Sequence, residues 1–146
     1  MTQAAESVGV DGSLQVAPYY NKPSQEGLFK HFKKIAQATS LPIILYSIPS
    51  RCNIAIELPT IQRLAKACKN IVGIKEAGGD ADRVSQLRAT LGQRFTILSG
   101  DDALTLPFMA VGAEGVISVA SNIIPRQIAK MVNSFATGKA AAALKL

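Results

Sequence analysis

Five short apolar runs, each followed by a segment of helical periodicity, constrain the fold of this chain more than any other feature. The runs begin near residues 13, 43, 71, 95 and 115. They read Leu14-Gln15-Val16-Ala17, Ile43-Ile44-Leu45-Tyr46, Ile71-Val72-Gly73-Ile74-Lys75, Phe95-Thr96-Ile97-Leu98-Ser99 and Gly115-Val116-Ile117-Ser118-Val119. Most are continuous rather than alternating, as expected of strands covered on both faces. Regular βα units with right-handed crossovers build a parallel sheet, so the fold class is α/β. Two architectures satisfy that pattern: a doubly wound sheet or a (βα) barrel. No Gly-x-Gly-x-x-Gly follows the first run and no P-loop is present, which weakens the nucleotide-binding version.

The helices are delimited by their own chemistry. Residues 2–8 read as the end of a helix, and Gly9-Val10-Asp11-Gly12 turns the chain. Pro18 and Pro23 forbid a helix between them, so Tyr19 and Tyr20 belong to a strand end and the loop after it. Ser24 is an N-cap for a helix with Leu28, Phe29, Phe32, Ile35 and Ala36 at helical spacing. Ser47-Ile48-Pro49-Ser50-Arg51 reads as a loop. A helix opens near Glu57 with Pro59 in its first turn, and another at Asp80 or Asp82. A short helix covers about residues 103–111. The last one opens at Pro125 and ends at Gly138, and the alanine-rich tail from Lys139 to Leu146 is expected to fray.

Composition excludes several functions. The chain has 146 residues, which predicts one domain spanning 1–146. His31 is the only histidine, so a multi-histidine metal site or a histidine-based triad is ruled out. It falls among Phe29, Phe32 and lysines and reads as a surface or rim residue. Cys52 and Cys68 are too few for a disulfide framework and lack zinc spacing. No metal or cofactor is expected. The net charge of +6 is dispersed, with only Lys30, Lys33 and Lys34 clustered on one helix face, so a nucleic-acid partner is not expected. No run of 18 apolar residues exists to span a membrane. The first residues lack a basic start and an apolar core, so no signal peptide is read and the expected compartment is cytoplasmic.

The polar residues of interest fall after strands. Tyr19 and Tyr20 follow the first, Tyr46 ends the second with Arg51 in its loop, Lys75 ends the third, and Gly100, Asp101 and Asp102 follow the fourth. Parallel strands place all of these at one end of the sheet, where such folds carry their sites. In a barrel, Tyr46 and Lys75 could both point inward from neighbouring strands. Burying an ammonium favours the neutral, nucleophilic amine. The alternative is a lysine that snorkels out of a strand end. A lysine amine that attacks a ketone forms an iminium, an electron sink that lets the adjacent carbon lose a proton. A tyrosine hydroxyl can shuttle that proton, and an arginine can hold a carboxylate in a bidentate fork. Together these residues suit aldol-type carbon–carbon chemistry on a keto acid.

Pro18-Tyr19-Tyr20-Asn21-Lys22-Pro23, Leu45-Tyr46-Ser47-Ile48-Pro49-Ser50-Arg51, Gly73-Ile74-Lys75-Glu76-Ala77, Leu98-Ser99-Gly100-Asp101-Asp102 and Gly115-Val116-Ile117-Ser118-Val119 closely resemble the dihydrodipicolinate synthase family. The motifs match in order and spacing over nearly the whole chain. The resemblance implies a partial (β/α)8 TIM barrel whose five βα units match strands four to eight. It implies condensation of pyruvate, as a Schiff base on Lys75, with aspartate semialdehyde in lysine biosynthesis. In that family Lys75 corresponds to the imine-forming lysine and Tyr46 to the proton donor and acceptor. Tyr20 looks like the relay tyrosine that reaches a neighbouring subunit's site, which implies a homo-oligomer. Arg51 looks like the receptor of the semialdehyde carboxylate, and Gly100 and Ile117 line the pyruvate pocket. Tyr19 matches a position near the lysine-inhibition site.

Arg51 favours the synthase over sister aldolases, such as N-acetylneuraminate lyase or the aldolases of keto-deoxy sugar acids. Ser47 stands where the family often has Asn, and Cys52 where Thr is usual. The first three strands, with a Gly-Thr-Thr-Gly-Glu loop, and the helical C-terminal region are not matched by this sequence. Five strands cannot close a barrel, so two edges and one face of the barrel interior are expected to be exposed, and a catalytically incomplete fragment is the further alternative.

Overall fold

The computed structural model describes residues 1–146. In chain order it comprises α1 (Thr2–Ser7), β1 (Ser13–Val16), α2 (Gln25–Gln37), β2 (Ile43–Ser47), α3 (Pro49–Cys52), α4 (Leu58–Ala67) and β3 (Ile71–Glu76). It continues with α5 (Ala81–Leu91), β4 (Thr96–Ser99), α6 (Thr105–Ala110), β5 (Gly115–Val116), α7 (Pro125–Ala136) and α8 (Ala140–Ala143). A single 3-10 turn, Ala120–Asn122, precedes α7.

Local chemistry explains the helix starts. The Ser24 hydroxyl accepts from the Gly27 amide at 3.2 Å, and Leu28, Phe32 and Ala36 then fall four apart on the buried stripe of α2. The Asp80 carboxylate accepts from the Asp82 amide at 2.9 Å and caps α5, which settles which of the two aspartates begins that helix.

All strand pairs are parallel, and the strand order β1-β2-β3-β4-β5 is the sequence order. A doubly wound sheet reverses direction part-way, whereas a barrel adds each strand beside the last. The unreversed order therefore decides for the partial (β/α) barrel.

The two faces of the sheet differ. Ile43, Leu45, Ile74 and Ile97 are fully buried on one, under Leu28, Phe32, Ile61, Leu64, Val84 and Leu87 from the helices. Leu14, Val16, Ile44, Tyr46, Gly73, Lys75 and Leu98 share the other, which is the barrel-interior side. That side is open at the β1 edge, where Leu14 is 45% and Val16 37% exposed. The reading of strands covered on both faces thus fails for β1, while the exposed edge and interior face expected of five strands are present.

Three local expectations are corrected. Residues 49–52 form the turn of helix α3 rather than a plain loop, because Pro49 suits a helix start and Asn53 adopts a left-handed conformation that stops it (φ +53°). The fifth strand keeps its ladder only over Gly115–Val116, after which the chain turns toward the 3-10 segment. The alanine-rich tail folds as α8 and buries Ala143, where fraying was expected.

Candidate active site

The register of β2 on β3 sets Tyr46 beside Lys75. The Lys75 Nζ lies 4.2 Å from the centroid of the Tyr46 ring, within range of a cation–π interaction. Lys75 is only 8% exposed. It forms no ion pair, unlike Lys30, Arg63, Arg83 and Arg88. A snorkelling lysine would place its nitrogen in water. This one keeps it against an aromatic face, with no carboxylate within ion-pair distance.

One further rung of hydrogen bonds past each strand end gathers the following loops around this lysine. The Ala17 amide donates to the Tyr46 carbonyl at 3.1 Å, and the Ala77 amide to the Ser47 carbonyl at 2.9 Å. The Gly100 amide donates to the Glu76 carbonyl at 2.8 Å, and the Ile117 amide to the Ser99 carbonyl at 3.0 Å. Gly100 is thereby held against the lysine stem. A Cβ there would stand 3.1 Å from Lys75 Cε and 2.7 Å from the Ala77 Cβ. Only a residue without a side chain leaves the lysine its position. Ile117, half-buried, is fixed one strand further along.

Arg51, on α3, is exposed and borders a cavity of about 510 Å³ together with Tyr46, Tyr19 and the apolar floor of Leu14 and Val16. Tyr46 thus touches both groups of residues, with Lys75 against its ring and Arg51 lining the same cavity. Tyr20 is not brought to this group. It is 94% exposed and lies outside the cavity wall.

Two polar assemblies carried no assigned role in the sequence. The carboxylate of Asp102 accepts from the Val119 amide at 3.1 Å and the Ala120 amide at 3.0 Å, tying the segment after β5 to the end of β4. Burial raises the pKa of this carboxyl, but the Ser118 hydroxyl, the two amides and the charge of Lys75 outweigh it and hold the group below the usual aspartate range. The second assembly is Glu76, fully buried, which accepts from Arg83 Nε at 2.9 Å and from the Gly78 amide at 2.7 Å. The alternation of the strand carried the signal. Residue 76 faces the helices, where a lone carboxylate needs a partner, and α5 supplies the nearest arginine in sequence, seven residues on. No group of three His, Cys, Asp or Glu side chains is arranged to hold a metal ion. No helix is long and apolar enough to cross a membrane.

A sheet of sequentially added parallel strands, with a buried lysine at one carboxyl end, is the architecture of a βα-barrel protein with its chemistry at the strand ends. The sequence profile of the dihydrodipicolinate synthetase family matches residues 1–146. A 4-hydroxy-tetrahydrodipicolinate synthase of Desulforamulus reducens is 52% identical over 146 residues, which is 100% of this chain and 49% of that protein. The crystal structure of dihydrodipicolinate synthase from Aquifex aeolicus superposes with a TM-score of 0.97 at 49% identity, covering 99% of this chain and 49% of that one. The 4-hydroxy-tetrahydrodipicolinate synthase of the methanotroph Methylacidiphilum fumariolicum SolV matches at 62% identity with a TM-score of 0.94, over 94% of this chain and 46% of its own. The chain belongs to the dihydrodipicolinate synthetase family, and it spans about half the length of the curated relatives it matches.

Proposed function

We propose that this chain carries the imine-forming half of a 4-hydroxy-tetrahydrodipicolinate synthase site, in which Lys75 condenses with pyruvate and the resulting enamine adds to aspartate semialdehyde. The observation that supports this most is the buried, unpaired Lys75 with its Nζ 4.2 Å from the Tyr46 ring centroid, at the carboxyl end of β3. The amine attacks the pyruvate ketone, and loss of water leaves an iminium on Nζ. The iminium withdraws electrons from the adjacent methyl carbon, whose proton is lost to give the enamine. Tyr46 is the residue beside Nζ able to give and take protons in those steps. Gly100 and Ile117 form the wall against which pyruvate lies. Arg51, which borders the same cavity as Tyr46, receives the carboxylate of the second substrate. No cofactor is needed, because the iminium itself serves as the electron sink. The residues fall within one domain, residues 1–146, corresponding to the C-terminal part of the barrel.

The exposure of Tyr20 favours a second, narrower reading of the chain by itself. A relay tyrosine directed into solvent serves a neighbouring subunit, so the proton relay is completed only in a homo-oligomer. The isolated chain then forms the imine faster than it turns over.

Pyruvate with borohydride distinguishes these readings. The expected result is a reduced adduct on the peptide containing Lys75 and none in Lys75→Ala. Absence of an adduct in the unaltered chain, or its survival in Lys75→Ala, would overturn the imine reading. Trapping without product from aspartate semialdehyde supports the narrower one.

A further inference from the structure

Residue 76 follows the lysine directly, and strand alternation turns it to the opposite face of the sheet. There it is bound through both its backbone carbonyl and its carboxylate. The Glu76 carbonyl accepts from the Gly100 amide at 2.8 Å. Its carboxylate accepts from Arg83 Nε at 2.9 Å through one oxygen and from the Gly78 amide at 2.7 Å through the other. Arg83 Nη2 in turn donates to the Ile56 carbonyl, in the segment between α3 and α4. Four pieces of chain therefore meet on one carboxylate–guanidinium pair: the end of β3, the loop after it, the first turns of α5, and the segment entering α4. The pair is enclosed, with side-chain exposure of 0% for Glu76 and 20% for Arg83.

A buried ion pair is a poor way to add stability. The desolvation of both charges consumes most of their attraction, and apolar residues of similar size commonly do as well. What such a pair does supply is direction. The carboxylate is held at both oxygens, by Arg83 and by the Gly78 amide, and the planar guanidinium at two of its nitrogens, by Glu76 and by the Ile56 carbonyl, so neither group can turn freely. Because Lys75 and Glu76 share a peptide bond, fixing the Glu76 side chain on the helix face fixes the direction in which Lys75 leaves the strand on the other. The same residue holds Gly100, whose backbone lies against the lysine stem. The direction of Lys75 and the position of the Gly100 backbone beside its stem thus both depend on residue 76.

We infer that Glu76 and Arg83 are positioning residues for the imine-forming lysine, acting on the rate of imine formation rather than on pyruvate affinity. This rests on the imine reading of Lys75. Reacting groups need placement to within a fraction of an ångström, and a displacement of about 1 Å can lower a rate about 100-fold. Neither residue touches the reacting atoms.

The test measures borohydride trapping against pyruvate concentration in the full chain, with far-ultraviolet circular dichroism and thermal melting alongside. In Glu76→Gln and Arg83→Met the maximal trapping rate is expected to fall at least tenfold, while the half-saturating pyruvate concentration stays within twofold. Arg83→Lys, which restores the positive charge, is expected to recover part of the rate lost in Arg83→Met. Folded variants that trap at the unaltered rate would overturn the inference. So would a loss that follows the unfolded fraction alone, including failure of all three variants to fold. If the unaltered chain traps no pyruvate, the imine reading itself falls. A chain that traps normally while its variants match it removes only the positioning role.

Discussion

The centre of the sheet and its β1 edge are built from the same residue types, yet they meet different fates. Along β2 and β3, Leu45 and Ile74 are fully buried under the helices, and the opposite face presents Tyr46 and Lys75 to each other. Along β1, Leu14 and Val16 stand beside Ile44 and Tyr46 in register but remain substantially exposed, on a strand with one unpaired edge. The central strands need nothing beyond the chain to hold their side chains. The edge has apolar groups and backbone hydrogen-bonding positions still to be satisfied. The Tyr46–Lys75 pair sits where each strand is paired on both sides, and the exposed Tyr20 follows the edge strand.

Truncation separates the two regions most sharply. Ile74→Ala or Leu45→Ala should cost about 2–5 kcal/mol in urea unfolding, because each leaves a cavity in a fully packed layer. Leu14→Ala should cost about 0.5 kcal/mol or less. A Leu14 loss as large as that of Ile74, with a melting temperature that rises with protein concentration, would mean that the β1 edge is covered by association in solution. Glycine substitution gives the next largest contrast. A Cβ on Gly73 would fall 2.6 Å from the Thr96 carbonyl oxygen and 2.8 Å from Ile44 Cδ1, so Gly73→Ala should destabilise by about 1–3 kcal/mol. At Gly115 the nearest atom is 3.6 Å away, so Gly115→Ala should be neutral or stabilise by about 0.4–1 kcal/mol through the unfolded state. Equal losses at both positions, read from the same unfolding curves, would mean that β5 is packed as tightly as β3.

The difference between regions also explains what could be read in the sequence. The five strands, the capped helix starts and the Tyr46–Lys75 juxtaposition follow from periodicity and alternation, which are properties of residues near one another in the chain. Lys75 was legible because an ammonium that ends an apolar run conflicts with its surroundings. The choice between barrel and doubly wound sheet was not legible from the strands alone. Periodicity states that strands are parallel but not the order in which they lie, and the motif resemblance supplied that order. The α3 turn escaped because Ser47-Ile48-Pro49-Ser50-Arg51 is too short to show a helical stripe, and α8 because four alanines have no apolar pattern to distinguish a docked helix from a frayed one. The bond from Asp102 to residues 119 and 120 spans 17–18 positions, and no local pattern records it.

That bond yields a smaller expected contrast than either truncation or glycine substitution, and it probes how the edge of the site is tied to its centre. The Asp102 carboxylate is the charged link between the end of β4 and the segment that follows β5. Its pKa in the folded chain lies below the ordinary 3.8, because the Ser118 hydroxyl, the Ala120 and Val119 amides and Lys75 outweigh the burial that would raise it. A carboxyl with a depressed folded pKa contributes stability that is present above its unfolded value and is lost as pH falls through the folded one. Asp102→Ala should therefore be less stable than the unaltered chain by about 1 kcal/mol at pH 7. The gap should narrow below about pH 4 as the unaltered chain takes up the proton. Thermal melts of the two proteins from pH 7 down to pH 3 measure this directly. A gap that stays constant over that range would place the contribution of Asp102 in packing rather than in its charge, and the segment after β5 would then owe its position to contacts other than this carboxylate.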